Sequence, residues 1–261
     1  NPSATELNYS GGNYASWNWK AGGGQGSSNT NGSINTTYTS VNTTAGFSIC
    51  KWTGTGSAGT IGHGLGATPG MIIFKNLSST NGWIVWNKSF NARTRCTLNT
   101  TAAASTSQVN FMNDTLPTSS LIYLGNDSDT NGSGNQMIAY VFAEKAGYSK
   151  FGSYTGNGNA NGPMVYTGFK PAFVMARQTN TTNNWIILDN KRDSFNPQDS
   201  SLYPNLSNAE DANGADYFDF YSNGFKARTT NDTVNESNGT YLYMAFGQSL
   251  VGSNNVPCTA R

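Results

Sequence analysis

The stretch GATPGMIIF at residues 66–74 decides the fold, because GFKPAFVMA at residues 168–176 repeats its pattern 102 residues later. In both stretches a glycine precedes a proline, and a continuous apolar run follows it. A short apolar run bounded by turn residues is typical of a strand that is buried on both faces. The repetition indicates an internal duplication of a β-rich unit.

Three further pairs of segments repeat in the same order along the chain. They are WTGTG (52–56) with YTGNG (154–158), WIVWN (83–87) with WIILD (185–189), and MIAYVFA (137–143) with TYLYMAF (240–246). Glycine and asparagine between these segments suit the turns that connect strands, and helix signals are weak. We therefore predict an all-β fold built of two tandem homologous β-sandwich or jelly-roll-like units.

The composition changes along the chain and predicts four regions. Residues 1–46, rich in Gly, Asn and Ser, are predicted to form an extended arm or linker. Residues 47–147 and 148–250 are predicted to form the two repeat units, and residues 251–261 a polar tail. Whatever the protein recognises is expected where the two copies differ, mainly in the loops at 127–135, 196–215 and 229–238.

The charge and hydropathy of the chain exclude two classes of partner. Charged residues make up 11% of the chain and the net charge is +1. A basic face that neutralises several phosphates is absent from the sequence, so nucleic-acid binding is not expected. No apolar run is long enough for a membrane-spanning helix, so membrane insertion is not expected either.

The cysteines and the sequons each allow two interpretations. Cys50, Cys96 and Cys258 are too few for a disulfide scaffold and match no zinc spacing, so free thiols are favoured over a Cys50–Cys96 bridge. Asn-X-Ser/Thr sequons are frequent, and chance in a chain rich in these residues is favoured over glycosylation.

One segment resembles the first half of a calcium-binding loop. Asp127, Asp129 and Asn131 supply oxygen ligands at positions 1, 3 and 5, and Gly132 follows at position 6. Position 12 is Ile138, where a bidentate glutamate is needed. A polar hairpin loop is therefore favoured, with calcium as the alternative. No other cofactor is expected.

Aromatic residues are the best candidates for ligand binding, because each ring offers a flat apolar face with a polar edge. Trp83 and Trp185 match between the copies and are predicted to be core residues. Unmatched aromatic residues are better candidates for sugar binding, namely Trp86, Tyr166, Tyr203 and Tyr221.

No catalytic constellation is recognisable, and we expect a protein without enzymatic activity. The single histidine, His63, lies between two glycines, with no Gly-X-Ser-X-Gly motif nearby, and is predicted to be a turn or packing residue. Most acidic residues fall in turns. A pair of carboxylates in a groove would instead indicate a polysaccharide depolymerase.

Several separate motifs resemble an uncharacterised module of marine tailed bacteriophages. They are YSKFGSYTGNG (148–158), GFKPAF (168–173), Asn184-Trp185, YPNL (203–206) and SNGFK (222–226), preceded by WNWKAGG (17–23). The resemblance runs from about Trp17 to the end, where only the final Ala260-Arg261 of the family's ending is kept. In that family the module often forms the C-terminal part of large virion proteins, frequently after a lectin-like β-sandwich. No catalytic residue is carried over.

The resemblance implies a phage virion protein that is exposed on the outside of the particle after assembly in the host cytoplasm. We expect a tail fibre or appendage module that forms a homo-oligomer, a trimer, contacts other virion proteins and attaches to host-surface glycan. The alternatives are a purely architectural component such as a capsid decoration or fibre shaft, a depolymerase, and a secreted lectin.

Overall fold

The computed structural model describes residues 9–212 and 214–247, and it confirms the predicted all-β class. In the first half the strands are β1 (Tyr38–Asn42), β2 (Phe47–Thr53), β3 (Gly59–Gly62), β4 (Pro69–Asn76), β5 (Trp83–Asn87), β6 (Cys96–Thr97), β7 (Leu121–Leu124) and β8 (Gln136–Ala143), with a one-turn helix α1 (Ser128–Asn131) before β8. No helix among the described residues has the length and apolar character that crossing a membrane requires.

The second half follows a similar succession of elements, without counterparts of β1 and β6. Its strands are β9 (Ser149–Thr155), β10 (Met164–Tyr166), β11 (Pro171–Gln178), β12 (Trp185–Asp189), β13 (Phe218–Tyr221), β14 (Gly224–Ala227) and β15 (Thr240–Gly247), with the one-turn helix α2 (Asp232–Asn235) before β15. Asp127 and Asn231 cap α1 and α2, each accepting a hydrogen bond from the backbone two residues ahead. These two helical turns were not predicted.

The strands form two large antiparallel sheets and two small ones. The six-stranded sheet has the order β1-β2-β8-β4-β5-β6, and the four-stranded sheet has the order β12-β11-β15-β9. Strands β3 and β7 form one small sheet, and β10, β14 and β13 form the other. The core order β2-β8-β4-β5 has the same connectivity as β9-β15-β11-β12, which supports the interpretation that the chain is a tandem duplication.

Strand register corrects one of the sequence pairings. The segments 137–143 and 240–246 were aligned residue by residue, but Phe74 pairs with Ala139 while its counterpart Ala176 pairs with Tyr243. Ala139 thus corresponds to Tyr243, a shift of one residue. Because these strands are apolar on both faces, the sequence pattern does not fix their register.

The four sheets are stacked as four layers, with one hydrophobic cluster between each pair of neighbouring layers. One cluster fills the space between the six-stranded sheet and β3–β7, with Ile61 and Ile122 facing Phe74. A second fills the space between the four-stranded sheet and the three-stranded sheet, where Phe225 meets Val174. The third joins the two large sheets face to face.

The shared cluster between the large sheets is mainly aromatic and aliphatic. It contains Met71, Val85, Phe142, Phe173, Trp185, Leu242 and Phe246, all buried. Burial of these side chains stabilises the contact between the two halves by about 25 cal/mol for each Å² of apolar surface removed from water.

Part of the predicted N-terminal arm belongs to the first sheet. All five residues of β1 pair with β2, so the predicted boundary after residue 46 falls inside a β-hairpin. Before it, Trp19 packs against Phe142, Phe173 and Phe246 at the edge of the shared cluster. The second predicted boundary, after residue 147, lies between β8 and β9. The predicted tail, 251–261, lies outside the described residues.

Cys50 and Cys96 are free thiols that lie on opposite sides of the six-stranded sheet. Cys50 belongs to the cluster beneath β3–β7, and Cys96 belongs to the shared cluster. This separation excludes the Cys50–Cys96 bridge. Burial raises the pKa of each thiol to about 11, so both are protonated at neutral pH. Cys258 lies outside the described residues.

Candidate binding faces

The three-stranded sheet presents an exposed face that carries two of the predicted sugar-binding tyrosines. Tyr166 of β10 and Tyr221 of β13 both pair with Gly224 of the central strand β14. The intervening residues Val165 and Phe225 point into the core. Since side chains alternate along a strand, both tyrosines lie on the outer face of the sheet.

We call this outer surface the tyrosine face and define it by Met164, Tyr166, Asp219, Tyr221, Gly224 and Lys226. Tyr166 is 68% exposed, Met164 is 45% exposed and Tyr221 is 36% exposed. Gly224 is closely approached: a Cβ there would lie 2.1 Å from the carbonyl oxygen of Val165 and 3.0 Å from Cε of Met164. A residue larger than glycine is therefore excluded at position 224, which lies between the two tyrosines.

Polar groups lie beside the rings on the tyrosine face. The Lys226 ammonium donates to Oδ1 of Asn161 at 2.6 Å, and the Tyr221 hydroxyl donates to Oδ2 of Asp219 at 3.2 Å. Asp219 also contacts the guanidinium of Arg228 at 3.5 Å. Hydrogen-bonding groups next to exposed rings are the combination that a sugar requires.

A further exposed aromatic residue lies at the edge of this sheet. The Asn196 side chain exchanges two hydrogen bonds with the backbone of Phe220, at 2.8 and 3.1 Å, and so continues the pairing of β13. Its neighbour Phe195 is 85% exposed. Phe195 was not among the predicted aromatic candidates, and it lies immediately before the loop 196–215 in which the copies differ.

The structure does not bring the other two predicted aromatic residues to the tyrosine face. Trp86 is 2% exposed and packs in the cluster beneath β3–β7, where Nε1 donates to the carbonyl oxygen of Asn91. No ring face of Trp86 is open to a sugar, so this candidate was wrong. Tyr203 is half-buried, and its hydroxyl donates to Oδ2 of Asp216 at 2.9 Å.

The residues of the calcium-like segment do not converge on one point. Oδ2 of Asp127 and Oδ2 of Asp129 accept from the two terminal nitrogens of Arg95, at 2.7 and 2.8 Å. Asn131 is fully buried, and its Oδ1 accepts from the backbone N–H of Thr55. The guanidinium of Arg95 therefore occupies the space beside the two carboxylates in which a calcium ion would have to lie. The third proposed ligand, Asn131, is directed toward Thr55 instead. This arrangement does not fit a calcium ion.

A polar cleft of about 450 Å³ lies beside this ion-pair cluster. Its lining includes Arg95, Gln108, Asn110, Asn126, Asp127 and Asp129. The cleft thus holds two carboxylates, but both are paired to one arginine, whose guanidinium lies 5.5 Å from the Phe111 ring centroid. Within the described residues, no group of three or more His, Cys, Asp or Glu side chains is arranged to hold a metal ion.

A cavity of about 500 Å³ lies between residues 14–19 and the second half. Asp189 accepts from Trp17 Nε1 and from Arg192 there, at 3.3 and 2.7 Å. Burial disfavours the charged Asp189 carboxylate, but these Arg192 contacts and two backbone N–H groups outweigh it, and the pKa is lowered. We interpret the Asp189 cluster as a structural contact that holds Trp17 against the second half.

Fold and surface together define an all-β protein of stacked sheets with an exposed aromatic face. A family model described as a domain of unknown function (DUF7483) matches residues 1–249, and the chain belongs to that family. No curated protein and no solved structure matches the chain.

Proposed function

We propose that this chain is a non-catalytic module of a bacteriophage tail fibre or appendage that attaches the virion to host-surface glycan. The observation that carries the glycan part is the pair of exposed tyrosines on either side of Gly224. The phage part rests on the motifs described in the sequence analysis. On this proposal the chain is a homo-oligomer, a trimer, on the outside of the virion and in contact with other virion proteins.

The geometry of the tyrosine face suits a sugar with an extended shape. Tyr166 and Tyr221 are separated by one strand, which places their Cα atoms roughly 9–10 Å apart. A ring stacks on the apolar C–H face of a pyranose, while Lys226, Asp219 and the phenol hydroxyls offer hydrogen bonds to its hydroxyl groups. Met164 lies two residues before Tyr166 on β10, and its Cε reaches toward Gly224, where it supplies an apolar floor between the tyrosines.

The low charge of the chain supports the same proposal. With charged residues at 11%, most polar side chains of the chain carry amides or hydroxyls, which exchange hydrogen bonds with water and sugars alike. Preformed sheet positions also reduce the entropy that a binding site loses when its ligand arrives.

A glycan array with purified protein tests the proposal. We expect the unmodified chain to bind a subset of bacterial surface glycans, and the double variant Tyr166→Ala/Tyr221→Ala to lose at least tenfold in affinity, since each lost ring contact is worth about 1 kcal/mol. Tyr9→Ala is the matched control, because Tyr9 is 62% exposed and does not belong to this sheet.

Two results would contradict the proposal. If no bacterial glycan binds, or if the double variant binds as well as the unmodified chain, the tyrosine face is not a glycan site. Turnover of a bound polysaccharide that is abolished by Asp127→Asn would favour a depolymerase acting in the polar cleft instead.

A further inference from the structure

The six-stranded sheet carries a row of side chains at one end of the face that it turns toward the shared core. Lys51, Ile138, Lys75 and Trp83 are direct neighbours across four adjacent strands, and we call them the lysine row. All four side chains are partly exposed. The Trp83 ring stacks on Tyr140 with centroids 6.2 Å apart, and Lys75 Nζ lies 5.9 Å from the Trp83 centroid.

The four-stranded sheet has a corresponding row, which is covered by a peptide segment. Ser153, Leu242, Arg177 and Trp185 are neighbours across the equivalent strands, and we call them the arginine row. Arg177 donates to the carbonyl oxygens of Thr100 and Ala102 from the other half of the chain, the former at 2.7 Å. Trp185 Nε1 donates to the Thr97 carbonyl oxygen at 3.0 Å.

The two rows differ in what lies on them. Arg177 and Trp185 are fully buried beneath the 97–102 segment. In the part of the chain that the structure describes, Trp83 Nε1 has no acceptor and the Lys51 ammonium has no carboxylate partner, while Lys75 reaches only the Asn81 carbonyl and the Trp83 ring. The lysine row thus keeps the donors of the arginine row without an equivalent covering segment.

The repeat identifies the segment that is equivalent to the cover. Asn99 Oδ1 accepts from the backbone N–H of Trp83, and Asn205 Oδ1 accepts from the backbone N–H of Trp185, each at 2.9 Å. The residues after Asn99 cover the arginine row, so the residues after Asn205 are their counterparts. These residues, 206–208, are exposed, and Leu206 is 40% exposed.

We infer that the lysine row binds residues 206–208 of a second copy of this chain. The backbone carbonyls of that segment would accept from Lys75 and Trp83, as those of residues 97–102 accept from Arg177 and Trp185. Charge also matches, because the exposed Asp211 follows the segment, next to Glu210 in its ion pair with Arg192, while the row carries two lysines. The inference deepens the homo-oligomer part of the proposed function and is independent of glycan binding.

The contact joins two different surfaces, so it is heterologous and generates a closed ring or an open filament. Sedimentation velocity over a concentration series of the full chain tests it. We expect self-association that Lys75→Glu or Leu206→Asp weakens by about tenfold or more, as for central interface residues. Lys20→Glu is the matched control. Lys20 is exposed and lies near Asn42, at the end of β1 that is far from Lys51.

Cysteine cross-linking supplies a second measurement that does not depend on the stability of the charge variants. In a Cys258→Ser background, a mixture of Lys75→Cys and Leu206→Cys proteins is expected to form disulfide dimers, whereas neither protein alone should do so. Full chain that stays monomeric, association that both charge variants leave unchanged, or a mixture without cross-links would each overturn the inference. Loss of glycan binding by the tyrosine variants has no bearing on these outcomes.

Discussion

At the scale of single residues, two buried asparagines hold the loops of both halves in the same way. Asn131 Nδ2 donates to the carbonyl oxygens of Ser57 and Gly125, while its Oδ1 accepts from the N–H of Thr55. Asn235 makes the equivalent three bonds with Asn159, Thr229 and Asn157. Each asparagine therefore ties the glycine-rich loop after β2 or β9 to the helical turn before β8 or β15.

We expect Asn131→Leu to destabilise the protein by about 3 kcal/mol, because a buried N–H and two buried carbonyls would lose their partner. The free energy of unfolding from urea titration is the measurement. Asn126→Ala, at an exposed position, should change it by less than about 0.5 kcal/mol. Equal effects of the two substitutions would contradict this role of Asn131.

A buried carboxyl gives the stability a defined pH dependence. Burial raises the pKa of Asp216, while the Tyr203 hydroxyl partly offsets the rise. The folded state thus binds the Asp216 proton more tightly than the unfolded state does. The stability from this group is fully present below the ordinary pKa of an aspartate and is lost as the pH rises through the raised value.

Asp216→Asn removes this titration and keeps an oxygen for the Tyr203 hydroxyl. We expect the variant and the unmodified chain to have similar stability at low pH, and the variant to become relatively more stable as the pH rises toward neutral. Urea midpoints at a series of pH values measure the difference. Asp189 and Glu144, whose pKa values are lowered, contribute in the opposite direction in both proteins and cancel in the comparison.

At the scale of elements, the 97–104 segment links the two large sheets through one buried arginine. Arg177 is fully buried and its guanidinium contacts the carbonyl oxygens of Thr100, Ala102 and Gln178. The Trp185 ring lies beside it, with the guanidinium carbon 5.4 Å from the ring centroid. Burial lowers the pKa of Arg177, which remains charged at neutral pH.

We expect Arg177→Met to cost about 3 kcal/mol of stability, because the methionine leaves buried carbonyl oxygens without donors. Hydrogen exchange should show faster exchange of the amides in 97–104. Arg93→Met is the control: Arg93 is half exposed and pairs with Asp114 at the surface, where solvent screens the pair, so its loss should cost far less stability than the loss of Arg177. Unchanged protection of the segment would contradict the link.

The strand cores were predictable from the sequence because their signal is local. The apolar runs of β4 and β11 and the tryptophan strands β5 and β12 stand between turn residues, as buried strands do. Strand β1 was missed because its sequence YTSVN is polar and becomes a strand only by pairing with β2. The helical turns were missed because four residues carry no periodicity.

The candidate site was partly predictable for the same reason. Tyr166 and Tyr221 were chosen as unmatched aromatic residues, and both are exposed on one sheet. Trp86 was chosen by the same rule and is buried, because the pattern of β5 does not say which face is covered. Lys226 and Met164 join the face only through cross-strand pairing, which no local pattern reveals.

At the scale of the whole molecule, the shared cluster makes the two halves depend on each other. Phe142 of the first half contacts Phe151 and Phe246 of the second, and Trp185 reaches Thr97 across the interface. We expect heat or urea to unfold the described halves in one cooperative transition, with tryptophan fluorescence and far-UV circular dichroism giving coincident curves. Two separate transitions would contradict a shared core.

The exposed face and the shared core have different consequences for binding and for folding. The tyrosine face belongs to the outermost sheet of the four layers, next to the large sheet of the second half. A ligand reaches the tyrosine face directly from solvent, and its binding leaves the core unchanged. Substitutions on this face are therefore expected to separate binding from folding.

Adsorption of the purified full chain to host cells tests the central claim most directly. We expect saturable binding that soluble host glycan competes away, and loss of that binding in Tyr166→Ala/Tyr221→Ala but not in Tyr9→Ala, with unchanged unfolding midpoints in both. Equal adsorption of the double variant and the unmodified chain, or no saturable adsorption of either, would contradict host attachment through the tyrosine face.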